Sequence, residues 1–415
     1  MVVLSGFVGQ GDRKSDGVGY VLFLFYMSIN TVLGSVVRIS WLVSLLITNS
    51  VWAAPRPKLI DPKATRETKA LYDHLHRLAR KHILFGHQHA TEYGHGWSGD
   101  PDRSDVKSVT GSHPAVIGVD FSGLSGRSPE AIEKAKASLR QEIADTYNRG
   151  GVTTVAWHFT NPVTPQTGFY WKDSVSAPAV VNLIPGGSHH GEYKRILQTL
   201  ASVAQSVKGK DGKLVPMIFR PYHEFDGGWF WWGKPHCQRE DFTGLWRFTV
   251  AYLRDSLQVH NFIYAFSPDC LYKTEADYLD RYPGDAWVDM VGVDNYADFG
   301  RNGRYNLPAG IAKLKIVSDY AQKAGKLAAF TETGLESIPD TTWWTQSLLK
   351  ALKAEKMQLA YVLVWRNDAR SPTHFYAPFP GQASVPDFLR FYRDPYTLFE
   401  NDLPKVYCRK KWLLF

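Results

Sequence analysis

Val215-Pro-Met-Ile-Phe219 runs without a break into Arg220-Pro-Tyr-His223-Glu224. The first five residues have the length and composition of a strand covered on both faces. The next five are polar, aromatic and acidic. Seven other places repeat this design, with apolar runs at 83–85, 115–119, 153–157, 262–266, 288–293, 327–330 and 360–365. Most of them lead at once into polar groups: His87-Gln88-His89, Asp120-Phe121, His158-Phe159-Thr160-Asn161, Ser267-Pro268-Asp269, Asp294-Asn295-Tyr296, Thr331-Glu332-Thr333 and Arg366-Asn367-Asp368.

Helical patterns lie between several of these runs. Ser128-Pro-Glu-Ala-Ile-Glu-Lys opens with a capping serine, a proline in the first turn and early acids. Residues 241–253, 311–324 and 341–354 carry apolar side chains at helical spacing. Eight such alternations predict an α/β fold, a (β/α)8 TIM barrel with long loops. A doubly wound sheet gives similar counts, but no Gly-rich phosphate loop follows the first run. From Pro55 onward no linker, low-complexity tract or repeat interrupts the chain. Residues 54–415 therefore read as one catalytic domain.

In a barrel the C-terminal strand ends converge on one face, and that face carries the active site. A structural protein has no reason to load one rim with His, Asp, Glu, Asn and Arg. Two carboxylates stand out there. Glu224 follows the fourth run and Glu332 the seventh, positions that face each other across a barrel mouth. Glycosidic bond cleavage needs such a pair: one carboxyl protonates the leaving oxygen while the other attacks the anomeric carbon. Salt bridging or helix capping explains a lone rim Glu. It explains two at these positions less well. Phe225, Trp229, Phe230, Trp231 and Trp232 crowd behind Glu224. Some of these rings are expected to pack the core and some to meet the C–H face of a sugar.

Composition narrows the classes. The chain has 415 residues, 44% of them hydrophobic, which supports a large core. Fourteen tryptophans are more than core packing usually requires. The formal charge of +8 is mostly interspersed with acids, and the one dense run, Arg409-Lys410-Lys411, sits in the C-terminal tail. No nucleic-acid motif accompanies it, so no nucleic-acid partner is expected. Cys237, Cys270 and Cys408 have no metal spacing, and an odd count leaves at least one without an intramolecular partner. His87, His89, Glu92 and His95 share one loop and invite a zinc reading, but the His-Glu-x-x-His helix is missing. His189-His190 lies in a Gly-rich stretch and is expected to face solvent.

Residues 1–53 read as an N-terminal signal region. Arg38 precedes an apolar run at 39–47, and Val51-Trp52-Ala53-Ala54 supplies small residues for cleavage after Ala53 or Ala54. The run is short for a membrane span, so no stable membrane insertion is expected. A second apolar stretch at 18–27 lies upstream. Met27 is read as the true start, with residues 1–26 an over-extended start; an N-terminal anchor is the competing reading. The mature chain is expected to be secreted, extracellular or periplasmic.

These residues carry a family resemblance. The segment from Arg220 to Gly233, Arg-Pro-Tyr-His-Glu-Phe-Asp-Gly-Gly-Trp-Phe-Trp-Trp-Gly, resembles the acid/base segment of glycoside hydrolase family 26, best known as β-mannanases. Phe330-Thr-Glu-Thr-Gly334 resembles that family's nucleophile segment. Phe85-Gly-His-Gln88, Trp157-His158, Asp294-Asn-Tyr296 and Trp365-Arg366 match further stretches. The resemblance implies a retaining endo-1,4-β-mannanase, with Glu224 as acid/base and Glu332 as covalent nucleophile. It implies that His223 supports Glu224 and that Tyr296 hydrogen-bonds the nucleophile. It places Trp365 under the sugar being cleaved, His158 on that sugar's hydroxyls, Trp229 on the leaving-group side and Arg366 on the next sugar outward. It implies no cofactor; no metal is expected either, since the His-Glu-x-x-His helix is missing. The expected partner is β-mannan or a manno-oligosaccharide, and the enzyme is expected to be a monomer. The family also contains enzymes for mixed-linkage β-glucan and β-1,3-xylan, and the loop at 90–100 belongs to a region that can close one end of a cleft and favour exo action. A silent carbohydrate-binding barrel is the reading from another class, and the presence of both glutamates argues against it.

Overall fold

The computed structural model describes residues 57–408. Residues 1–53, read above as a signal region, and the basic C-terminal run lie outside them. Eight parallel strands form the barrel: β1 (Ile83–Gln88), β2 (Val116–Asp120), β3 (Val152–Trp157), β4 (Met217–Pro221), β5 (Phe262–Phe266), β6 (Met290–Asp294), β7 (Leu327–Thr333) and β8 (Tyr361–Val364). Each neighbour in sequence is a neighbour in space, and β8 pairs with β1 to close the ring. All eight apolar runs are therefore strands of one (β/α)8 barrel.

The period-two alternation of a strand sorts its side chains into two cores. Ile218, Ile263, Ala265, Met290, Leu327, Ala329 and Leu363 point inward and pack with Leu71, Tyr72 and Leu75 of helix α1 (Arg66–Leu78). This helix contacts β5 and β7. Met217, Phe219, Phe262, Val291 and Val362 point outward to the surrounding helices. Among these are α2 (Pro129–Arg149), α3 (His190–Ala204), α4 (Arg239–Ala251) and α5 (Leu307–Ala324). Ser128 caps α2 by accepting from the Ala131 N–H, as its sequence predicts.

Two expectations need correction, and one open question is answered. Residues 341–354 are not one α-helix: Trp344–Leu349 is π-helical and only Lys350–Lys353 continues as α-helix. His189 and His190 are half-buried rather than fully solvent-facing, and His190 is held in place. It opens α3, its Nδ1 bonds the Leu183 carbonyl, and its ring packs edge-on against Phe248. The cysteines, whose pairing was open, are all free thiols.

Candidate active site

Alternation carries straight into the site. Ile218 faces the barrel interior, so Arg220, two residues on, does too. Ala265 places Ser267 inward, and Met290 places Asp294. Arg220 is buried and its guanidinium donates to Asp294 Oδ2 at 2.7 Å, to Ser267 Oγ at 3.2 Å and to Glu332 Oε1. Ser267 Oγ and Thr331 Oγ1 both donate to Asp294 Oδ1, at 2.8 and 2.6 Å.

Thr331 and Glu332 are consecutive, yet both reach inward. Strict alternation forbids this. The pairing of β6 with β7 shifts between Val293↔Phe330 and Asp294↔Glu332, so Thr331 is the extra residue of a bulge. A bulge re-aims the side chain that follows it. Here it turns Glu332 onto Arg220 and onto Tyr296, whose hydroxyl donates to Oε2 at 2.9 Å. Both oxygens of Glu332 are thus held by donors to its charged form.

Glu224 sits beyond the end of β4 in a backbone of unusual shape. Tyr222 and Glu224 have φ of 50° and 54°, a region L-residues other than Asn and Asp rarely enter. Such strain collects where a side chain must be aimed. The Glu224 N–H is fixed by the Ser267 carbonyl at 2.9 Å, and Trp229 Nε1 donates to its Oε2 at 2.7 Å. Burial, then the charges of Asp294, Glu332 and Asp269, push the Glu224 carboxyl well above the ordinary carboxylate range, against the opposing Trp229 bond. One carboxylate oxygen each from Glu224, Asp294 and Glu332 lies within 4.8 Å of the others. Among the described residues these are the groups that could hold a cation, and Arg220 already supplies the positive charge to two of them. The loop histidines do not converge on a ligand set. His89 Nδ1 pairs with Glu92 at 2.7 Å, His87 is buried, and His95 stacks on Phe379 at 3.6 Å.

A cleft of about 470 Å³ opens over these groups. Of the sequence-predicted site residues, Glu224, Glu332, His158, His223, Trp229, Tyr296 and Trp365 all line it. Arg366 stands outside its walls, paired with Asp368 at 2.6 Å and lying over the Tyr93 ring. His223 is buried, and burial, with Arg220 and His158 nearby, holds its ring neutral by lowering its pKa well below the usual value. It packs edge-on against His158 at 4.6 Å. The tryptophan cluster divides as expected: Trp231 and Trp232 are fully buried, whereas Trp229 is 36% exposed. Sequence reading missed Tyr170, Arg301, Glu336, His374 and Tyr376, which complete the walls. They sit on loops, away from strand ends. His374 Nδ1 meets Glu336 at 2.7 Å, joining the loops after β7 and β8.

Paired carboxylates over a (β/α)8 mouth, one pushed above the ordinary carboxylate range and the other bound by Arg220 and Tyr296 among aromatic rings, define a glycoside hydrolase site. The family model for glycosyl hydrolase family 26 matches residues 60–369, and the chain belongs to that family. It is similar to a mannan endo-1,4-beta-mannosidase of Bifidobacterium adolescentis, 36% identical over 352 residues. That match covers 80% of this chain and 34% of the longer relative. Among solved structures, it is similar to a family 26 β-mannanase from Bacteroides ovatus: 40% identity, TM-score 0.77, covering 83% of this chain and 98% of that one. The structure of GH26C from Muricauda sp. superposes with TM-score 0.79 at 36% identity, covering 84% and 96% of the two chains.

Proposed function

We propose that this glycoside hydrolase is a retaining mannan endo-1,4-β-mannosidase acting on mannan, glucomannan or galactomannan. The observation that carries the mechanism is the short approach of the Glu224 and Glu332 carboxylates. Retaining enzymes hold the pair about 5–5.5 Å apart, whereas inverting enzymes leave about 6.5–9.5 Å for a water. Glu332, charged and pinned by Arg220 and Tyr296, attacks the anomeric carbon. Glu224, kept protonated by its surroundings, gives its proton to the departing oxygen. It then takes a proton from the water that releases the sugar from Glu332. Relatives named for mannan hydrolysis support the choice of polysaccharide.

Chromatography of digests tests the substrate. We expect short manno-oligosaccharides of several lengths from β-mannan, and little or no product from mixed-linkage β-glucan or β-1,3-xylan. Faster release from either of the latter overturns the assignment. We also propose that the enzyme is exported as a monomer after cleavage near Ala53. N-terminal sequencing of the secreted protein should read Ala54 or Pro55 first, and a secreted chain retaining residues 1–50 contradicts this.

A further inference from the structure

Asp120 ends β2 beneath the cleft and is nearly buried, at 7% side-chain exposure. Its Oδ1 accepts from the Ser122 N–H at 2.7 Å and the His158 N–H at 3.2 Å. Its Oδ2 faces His158 Nδ1 at hydrogen-bond distance. His158 lines the cleft beside His223 and Trp365, with ring separations of 4.6 and 5.8 Å. Nδ1 is committed to Asp120, so Nε2 is the ring nitrogen left for a ligand.

We propose that Asp120 is a positioning residue that fixes the tautomer of His158, so that Nε2 offers a lone pair to a donating hydroxyl of the sugar in the cleft. This rests on the glycoside hydrolase reading of the site and adds to it the direction of one contact. An ionised carboxylate is acceptor-only, and the two N–H bonds on Oδ1 are bonds to that ionised form. A carboxylate opposite Nδ1 requires a proton on Nδ1. A neutral ring then carries its lone pair on Nε2. A sugar hydroxyl in that place must donate, so a derivative without that hydroxyl leaves the nitrogen unpaired.

Asp120→Asn gives the sharpest test because it keeps size and reverses one polarity. Oδ1 retains the two backbone N–H groups, so the amide nitrogen takes the place of Oδ2. That nitrogen donates to Nδ1 and forces the proton of His158 onto Nε2, which then presents a donor to the cleft. Long-range ¹H–¹⁵N NMR of histidine-labelled free enzyme reads the tautomer without any substrate, with His158→Asn assigning the signal. The proposal expects neutral Nδ1–H in the native enzyme and Nε2–H in Asp120→Asn. Kinetics with a monodeoxy series of aryl mannosides supply the second readout. The native enzyme should lose about tenfold in kcat/KM at one deoxy position. Asp120→Asn should be slower by about the same factor on the parent substrate and show no further loss at that position. A shared loss at every position points to a structural role and overturns the proposal. An Nε2–H or doubly protonated His158 at neutral pH in the native enzyme also overturns it. Because the spectra are taken on free enzyme, a wrong choice of polysaccharide leaves that result intact.

Discussion

Glu332→Ala is expected to lose activity on mannan on the order of 10³-fold or more, because no other group replaces the attacking carboxylate. An activated aryl β-mannoside should give no burst of aryl release, since no glycosyl-enzyme forms. Added azide should at best attack the sugar directly and give the opposite anomer. The structure gives the reason in geometry. Glu332 is the carboxylate that the β7 bulge turns inward, with one oxygen on Arg220 and the other on Tyr296. Alanine leaves Arg220 with Asp294 as its remaining acid, at 2.7 Å, so the buried guanidinium keeps an ion pair. The variant is therefore expected to stay folded, and circular dichroism should match the native enzyme. A burst of native amplitude from this variant removes Glu332 from the mechanism.

Glu224→Ala should fail differently. Its loss on polymer is expected to be on the order of 10²-fold or more, the size of the proton-transfer contribution. Attack by Glu332 survives when the leaving group needs no proton, so an activated aryl mannoside should show a burst followed by slow turnover. Azide needs no general base, and it should restore turnover and yield the β-mannosyl azide. The pH profile should change as well. Burial and neighbouring carboxylates raise the Glu224 pKa, so the acid form persists above the ordinary carboxylate range. Native kcat/KM on mannan should fall as pH rises through that raised value, because the proton donor is then lost. In Glu224→Ala that alkaline limb should vanish from the burst step. A burst from Glu332→Ala with none from Glu224→Ala reverses the two roles.

The strand ends were legible because barrel strands are apolar on both faces. A run of Val, Ile, Phe and Ala that stops at His, Asp, Glu or Arg marks both the strand and its catalytic end. Glu224 and Glu332 stood out on that ground alone. Arg220 was visible as a rim residue, but its contact with both Asp294 and Glu332 depends on which face of β4 and β7 each occupies. The bulge at Thr331 decides that, and no residue type announces it. The hydrogen bond from Trp229 to Glu224 was equally hidden, since Gly227-Gly228 fold the chain back over five residues. Arg301, Glu336, His374 and Tyr376 reach the cleft from loops, where sequence spacing carries no period. The π-helical stretch at Trp344–Leu349 preserves an apolar face while changing the turn, so helical spacing alone misassigned it.

In the double displacement Glu332 attacks the sugar and Glu224 serves first as acid and then as base. Two displacements at one carbon return the starting configuration, and a single displacement by water inverts it. Proton NMR of the first turnovers on a manno-oligosaccharide reads the anomer before mutarotation obscures it. The new reducing end is expected to appear first as the β-anomer. An initial α-anomer would contradict the double displacement and make the enzyme inverting.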